Sequence, residues 1–319
     1  MTIVDSSETS YDVIGDVHGH ADALIGLLRQ MGYAERTGGW RHPDRQAIFV
    51  GDLIDRGPQQ LETIDIVRRM VDAGAAQVAL GNHEFNAVAY ATPRDGGGHL
   101  RPHSRKNRKQ HAAFIAAVTL DSPLHRELID WFMTIPLWLE LDGLRVIHAY
   151  WSQPDLSYLR GRVSATNTLT DELVIDASAK GHRAHAAVEN ILKGPEVRLP
   201  NGMKTRDKDN HTRSNVRLKW WDGSATNWSD LLAPGQTVVD ANGAVVDGLP
   251  DEPIPEGLLR GNDSDMPVIF GHYWFEAPLA VTNPRALCVD YSAGAGGPLA
   301  AYRFDGEPTL RADKLVSFR

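Results

Sequence analysis

The 319-residue chain has a single cysteine, Cys288, so no internal disulfide can form, which suits a reducing compartment. Basic residues are outnumbered, 33 against 41 acidic, and the net charge of -8 argues against a general nucleic-acid-binding surface. No apolar run is long enough to span a bilayer. The opening stretch MTIVDSSETS lacks the basic and apolar regions of a signal peptide. Internal repeats and low-complexity tracts are absent too. The expectation from these absences is a soluble cytoplasmic protein. What is present is ordinary for a globular chain with a sizeable core: 42% hydrophobic and 23% charged residues. The length admits one large domain or two smaller ones.

Short apolar, β-branched runs at 11–15, 47–50 and 77–80 read as strands, with helical spacing at 21–31 and 60–73 between them. This alternation predicts βαβ units and a largely parallel α/β sheet. Two helices are expected near 108–119 and 123–134. A hairpin is expected over 137–141 and 144–148, turning at Asp142-Gly143. The pattern is poorer over 151–262, with one helix expected near 184–192. Strands return at 267–270, 286–291 and 299–304. One α/β domain over 1–319, with 151–262 as a long insertion, is the simplest arrangement.

Three of these strands end alike. The first runs into Gly15-Asp16-Val17-His18-Gly19 and the second into Gly51-Asp52-Leu53-Ile54-Asp55-Arg56-Gly57. The third runs into Gly81-Asn82-His83-Glu84. Two later strands end at Ile147-His148 and Phe270-Gly271-His272. Ligands of open α/β sheets sit beyond the carboxyl ends of the strands, so the loops can converge on one place. Singly, each loop is as readily a turn, a helix cap or a core histidine. Together they collect oxygen and imidazole donors without a thiolate, a set suited to Mn, Fe or Zn. Six donors exceed what one catalytic ion needs. They fit two ions about 3.5–4 Å apart that share a carboxylate, the arrangement used in phosphate ester hydrolysis.

The motifs GDVHG, GDLIDRG, GNHE, the strand ending in His148, and GHY resemble those of the calcineurin-like metallophosphoesterases, in their phosphoprotein-phosphatase-like branch. The resemblance implies a β-sandwich flanked by helices, a four-layer αββα fold. It implies that Asp16, His18 and Asp52 hold one ion, and that Asp52 bridges to a second held by Asn82, His148 and His272. His83 is then the general acid, oriented by Asp55, and Arg56 clamps the phosphate. The chemistry agrees: two cations make hydroxide available near neutral pH, a guanidinium binds phosphate oxygens bidentately, and a protonated imidazole serves the leaving oxygen.

Phosphodiesterases of this fold carry GHxH, whereas Trp274 stands here in place of the second histidine, which with Arg56 favours monoesters. The loop Ala149-Tyr150-Trp151 puts aromatics where they are expected to stack on substrate. The segment DYSAGAGGPL (290–299) resembles one in symmetrical dinucleoside tetraphosphatases and phage-type Ser/Thr phosphatases, while GNHE points to protein phosphatases. The basic stretch 101–111 reads either as a solvated helix start or as a rim attracting polyanions. Arg213, Arg217, Trp220 and Trp221 are candidates for a second phosphate clamp and a base-stacking platform, with Arg217 and Tyr273 taken as substrate-binding.

The expected function is therefore a two-metal phosphoester hydrolase, Mn preferred and Fe, Zn or Ni admissible. It would cleave monoesters or nucleoside and dinucleoside polyphosphates by direct attack of metal-bound hydroxide. A protein Ser/Thr phosphatase is the alternative within the class, with a phosphoprotein as substrate. A non-catalytic nucleic-acid- or metal-binding module is the alternative outside it. Neither a membrane nor a stable nucleic-acid partner is expected.

Overall fold

The computed structural model describes residues 10–206, 212–233, 237–255 and 263–319. The N-terminal stretch read above for a leader lies, apart from Ser10, outside the described residues. So do 207–211, 234–236 and 256–262 of the expected insertion.

The chain begins with β1 (Ser10–Ile14), α1 (Ala21–Gln30) and a small hairpin of β2 (Ala34–Arg36) and β3 (Gly39–Arg41). There follow β4 (Arg45–Phe49), α2 (Gln60–Asp72), β5 (Ala76–Val78) and α3 (Asn82–Ala91). Three helices come next, α4 (Arg105–Gln110), α5 (Ala112–Val118) and α6 (Pro123–Met133), and then the expected hairpin, β6 (Trp138–Leu141) and β7 (Leu144–Ile147). The middle of the chain carries α7 (Gln153–Leu159), α8 (Asp171–Ser178), α9 (Arg183–Lys193) and the short strands β8 (Glu196–Arg198), β9 (Lys204–Arg206), β10 (Thr212–Arg213), β11 (Asn215–Arg217) and β12 (Thr237–Val239). The chain closes with β13 (Val268–Phe270), β14 (Ala286–Cys288), β15 (Leu299–Phe304) and β16 (Leu315–Phe318).

Two mixed sheets form the centre, where a largely parallel one was expected. The first has the order β16-β15-β1-β4-β5, with β1, β4 and β5 parallel and β15 antiparallel to β1. The second has the order β14-β13-β7-β6, parallel except at the hairpin. Alternation along each strand shows how they stack. Tyr11 and Val13 of β1, Ile48 of β4, Ile269 of β13 and Leu287 of β14 meet in one buried cluster between the sheets. Their neighbours Ile14, Ala47, Phe49, Val268, Phe270 and Cys288 turn outward into a second cluster shared with the helices. Both faces of these strands are therefore covered, the αββα layering expected from the motifs, and it explains why they read as continuous apolar runs.

The described residues of 151–262 divide in two. Leu156 and Leu159 of α7, Leu173 and Val174 of α8, and Val188 and Ile191 of α9 join the main helical core. The short strands carry their own small core around Val216, Leu218, Trp228, Leu231 and Val238. Helices α7 and α8 were not anticipated, although each opens on a side-chain cap, Ser152 or Thr170.

Candidate active site

All five loops meet at one end of the sandwich because the parallel strands deliver their carboxyl ends to the same edge. Asp16 and His18 follow β1, and Asp52, Asp55 and Arg56 follow β4. Asn82 and His83 open α3 directly after β5. His148 and His272 follow β7 and β13 of the other sheet. The β4 and β5 loops cross glycine on glycine. Gly51 has φ 101°, and a Cβ on it would lie 2.4 Å from the Gly81 nitrogen, so a larger residue would force the loops apart.

The histidines are fixed by their far nitrogens. His18 Nδ1 donates to the Ile54 carbonyl (2.8 Å) and His148 Nδ1 to the Val50 carbonyl (2.8 Å). In each, Nε2 is left to present a lone pair to the site. His18 Nε2 lies 3.6 Å from Asp52 Oδ2, while His148 Nε2 lies 3.4 Å from Asp52 Oδ1 and 3.2 Å from Asn82 Oδ1. Burial brings the His18 ring down to about 3, so it stays unprotonated. His272 is likewise held well below the usual imidazole range, by burial first and by the Arg217 charge second. The Nε2 atoms of His18 and His272 are buried with no hydrogen-bond partner. Burial lowers His148 too, but the Asp52 charge and hydrogen bond outweigh it and hold that ring above the usual range, so a cation there would take the place of its Nε2 proton. The unprotonated nitrogens of His18 and His272 and the carboxylate between them are what a divalent cation requires, so these residues fit the metals that the motifs imply.

Among the described residues two donor groups emerge, each with its ligand atoms within 4.8 Å of one another: His18, Asp52 and His83, and Asp52, His148 and His272. Asp52 belongs to both, and Asn82 adjoins the second through His148. Asp16 stands apart from these groups. Its carboxylate is buried and accepts the His272 N–H (3.2 Å), and burial followed by the charges of Asp290 and Asp52 pushes it well above the usual carboxylate range.

His83 Nδ1 meets Asp55 Oδ2 at 2.5 Å, which leaves Nε2 facing the site, 3.9 Å from Asp52 Oδ2. Burial alone would lower its pKa, but Asp52 and the Asp55 hydrogen bond outweigh burial and raise it. Burial would raise Asp55, yet hydrogen bonds from His111 and His83 bring that carboxyl down to about 2. Arg56 is exposed, and its guanidinium carbon lies 4.1 Å from the centre of the Trp274 ring. A Cβ on Gly294 would come within 2.7 Å of Arg56 Cδ and 2.6 Å of His18 Cδ2, so the 290–299 segment closes down on both residues.

Several sequence expectations are corrected by packing. Tyr150, Trp151, Trp220 and Trp221 are buried rather than available for stacking. Trp220 Nε1 donates to the Ala149 carbonyl (2.8 Å), and its ring packs against Tyr150 and Phe270. Tyr273 is also buried. Its hydroxyl points at Gly194 and its ring lies 5.9 Å from the Arg217 guanidinium carbon, so it supports that arginine instead of meeting a ligand. Arg213 is exposed on β10. In the basic stretch, Arg101 is spent on structure, reaching Asn86 Oδ1 (2.7 Å) and Gln110 Oε1 (2.9 Å), while Arg105, Lys106, Arg108 and Lys109 are exposed.

Two supporting acids were missed. Glu84 is buried, and its carboxylate accepts the backbone N–H groups of Asp52 (2.9 Å), Leu53 (2.8 Å), Ile54 (3.3 Å) and Gly81 (3.1 Å). Its capping-box position, three residues after Gly81, was the available signal. Asp290 accepts the N–H groups of Trp274 (2.8 Å) and Ser292 (2.9 Å).

Imidazoles and carboxylates gathered at the strand ends of a two-sheet α/β sandwich, beside an acid–base pair and an exposed guanidinium, define a metal-dependent hydrolase site. Residues 10–273 match the family described as calcineurin-like phosphoesterase, and the chain belongs to that family. A symmetrical bis(5'-nucleosyl)-tetraphosphatase of Janthinobacterium sp. (strain Marseille) is 26% identical over 317 residues, covering 95% of each chain. An asymmetrical bis(5'-nucleosyl)-tetraphosphatase of Halalkalibacterium halodurans is 49% identical over 74 residues, 23% of this chain; the match spans only 30% of that relative's length. A protein serine/threonine phosphatase of Saccharomyces cerevisiae has a similar fold, with TM-score 0.51 at 13% identity over 99% of this chain and 81% of its own. No described helix is long and apolar enough to cross a membrane.

Proposed function

We propose that the chain hydrolyses phosphate monoesters and the phosphoanhydrides of nucleotide-like polyphosphates, with two divalent cations, manganese foremost. The reading rests on one observation: the Asp52 carboxylate belongs to both donor groups at once. By the motifs, Asp16, His18 and Asp52 would hold one cation, although Asp16 here accepts the His272 N–H outside both donor groups, and Asp52, Asn82, His148 and His272 would hold the other. When bound, the pair would supply the Lewis acidity that makes water nucleophilic near neutral pH and that neutralises phosphate charge.

The chain's own residues do the rest. Arg56, braced by Trp274, binds the non-bridging phosphate oxygens and aligns the phosphorus. Asp55 holds the Nδ1–H of His83, so the opposite nitrogen, Nε2, delivers a proton to the leaving oxygen. Arg217 adds positive charge beside His272 for a second phosphate group. An acid–base pair with this geometry has no use in a module that only binds.

Three features favour a polyphosphate over a phosphoprotein. A symmetrical tetraphosphatase aligns over 95% of this chain. Exposed Arg105, Lys106, Arg108 and Lys109 lie on the helix that runs into His111. The glutamate of GNHE, which had pointed to phosphoproteins, is occupied with backbone N–H groups and bears on no substrate. A cytoplasmic location accords with the single buried cysteine.

The test is a metal-loaded His83→Asn variant assayed on an alkyl phosphate and on p-nitrophenyl phosphate. Loss of the proton donor should slow the alkyl ester by roughly 10²–10⁴-fold and the nitrophenyl ester far less, with bound metal unchanged. Equal slowing of both esters, or loss of a metal ion from the variant, would remove His83 as the acid. Undiminished hydrolysis by chelator-stripped protein would remove the metals from the reaction. A kcat/KM for a phosphopeptide above that for dinucleoside polyphosphates would reverse the choice of substrate.

A further inference from the structure

Asp55 is not held by His83 alone. Its second oxygen, Oδ1, meets Nδ1 of a second imidazole, His111, at 2.9 Å, and its backbone N–H donates to Gln60 Oε1 (2.7 Å). His111 lies 28 residues after His83 and was read in the sequence only as part of a basic stretch. The structure breaks the helix expected over 108–119 at this residue, which closes α4 and opens α5. That break turns the ring inward. It is buried, edge-on to Tyr90 (5.2 Å between ring centres) and against Phe114 (5.0 Å). Arg101 ties the same corner down, joining Gln110, next to His111, to Asn86 on α3, the helix that carries His83.

We propose that His111 is a positioning residue for the Asp55–His83 pair: it fixes the rotation of the Asp55 carboxylate and, through it, the plane of the His83 ring. The proposal rests on the reading of His83 as proton donor. The terminal torsion of an aspartate is broad, and a bond to one oxygen leaves the carboxylate free to swing. A second donor on the other oxygen removes that freedom, and the left-handed backbone of Asp55 (φ 68°) is pinned by Gln60 besides. The hydrogen bonding also assigns the tautomer. An ionised carboxylate only accepts, so Nδ1 of His111 carries the proton. Nε2 is buried with no hydrogen-bond partner. His111 never reaches the substrate.

The test uses the full, metal-loaded chain with an alkyl phosphate and p-nitrophenyl phosphate as paired substrates. His111→Phe keeps the packing and removes the donor. His111→Asn keeps an N–H donor close to the place of Nδ1, and His111→Gln carries its amide past it. Expected for His111→Phe is a kcat on the alkyl phosphate lower by about 10- to 100-fold, the worth of one hydrogen bond to a charged group, with KM little changed. The nitrophenyl ester should be nearly unaffected. His111→Asn should recover most of the loss. The double variant His83→Asn/His111→Phe should be no slower than His83→Asn, because both changes act through one proton donor.

An unslowed His111→Phe, equal slowing of both substrates, failure of Asn to rescue, or losses that multiply in the double variant would each overturn the proposal. If the Phe variant does not fold, Asn against Gln decides: a faster Asn variant supports the role and equal rates overturn it. His83→Asn separates the two levels. If it fails to slow the alkyl phosphate, the proton-donor reading falls and this role falls with it. If it slows while His111→Phe does not, only the role of His111 falls.

Discussion

Removing the Glu84 carboxylate is the sharpest structural test of how the GDLIDRG loop is held. Four backbone N–H groups, of Asp52, Leu53, Ile54 and Gly81, end on its two oxygens, and the residue is fully buried. Glu84→Ala leaves all four donors without a partner. At about 1–3 kcal/mol for each buried donor left unmet, the gross cost is on the order of 4–12 kcal/mol. Water entering the space relieves part of it, so a net loss of at least about 3 kcal/mol is expected, against a total stability of about 5–15 kcal/mol. Glu84→Gln keeps one carbonyl oxygen but turns an NH₂ towards two of the donors, and should fall between. The assay is urea unfolding at constant slope, paired with amide hydrogen exchange. Exchange should quicken at Asp52, Leu53 and Ile54 before it quickens elsewhere in the sheets. A Glu84→Ala variant within about 1 kcal/mol of the parent, with those amides still protected, would refute the reasoning.

Burial, with the Asp52 charge next, pushes Glu84 from 4.5 up to about 7, so between those values the folded metal-free chain binds the proton that the unfolded chain has released. Its contribution to stability therefore falls as pH rises through that window, and the gap between parent and Glu84→Gln in unfolding experiments should narrow from pH 4.5 to 7. Trp274→Ala should lower kcat/KM for a monoester by about 2- to 30-fold, the worth of one cation–π contact, and Trp274→Phe should lower it less. Leu at the same position matching Phe would show that the ring face does not matter. Asp52→Asn should deplete metal from both donor groups after dialysis, and retention of the parent's metal content would mean that Asp52 is not shared.

The strand ends were legible because each is an apolar run that stops on a polar residue, in four of the five directly after a glycine, a pattern local enough to read from a few positions. Asp52, His148 and His272 were placed this way, and the structure brings them to one point. Sheet membership was not legible. β1 and β13 look alike in sequence, and only the alternating burial of Val13 and Ile14, or of Ile269 and Phe270, shows that they lie in different layers. Aromatics misled for the same reason. Nothing near Trp220 or Tyr150 in sequence shows what covers them, because Trp220 packs on Tyr150, 70 positions away, and on Phe270, 50 positions away. Glu84 and His111 were missed because their partners are backbone amides and a carboxylate about 30 and 56 residues away. Apart from the capping-box spacing of Glu84 to Gly81, charge and spacing carry no trace of such pairings.

The backbone of the site is costly by itself. His18, Asp52, Asp55, Arg56, His272, Trp274 and Ser292 all have left-handed φ, and residues other than glycine hold such conformations at about 1–3 kcal/mol each only where the surroundings leave no alternative. Those surroundings are unusual in kind. Asp16, Asp52, Glu84 and Asp290 are four buried carboxylates, and Arg56, on the same loop as Asp52, is turned to the surface. Each acid holds backbone at the site: Glu84 the loop after β4, Asp52 the N–H of His83, Asp16 the backbone at His272, and Asp290 the turns at Trp274 and Ser292. The network that fixes the strained loops thus concentrates negative charge where it is hardest to bear, as the upward shifts of Asp16 and Glu84 record. Positive charge delivered to Asp52 would relieve that repulsion, and at the His148–His272 group it would also bridge the two sheets, since Asp52 follows β4 of one and both histidines follow strands of the other. Geometry suited to hydrolysis and the electrostatic need of the fold therefore point to the same place. A cation there completes the sandwich as well as the site.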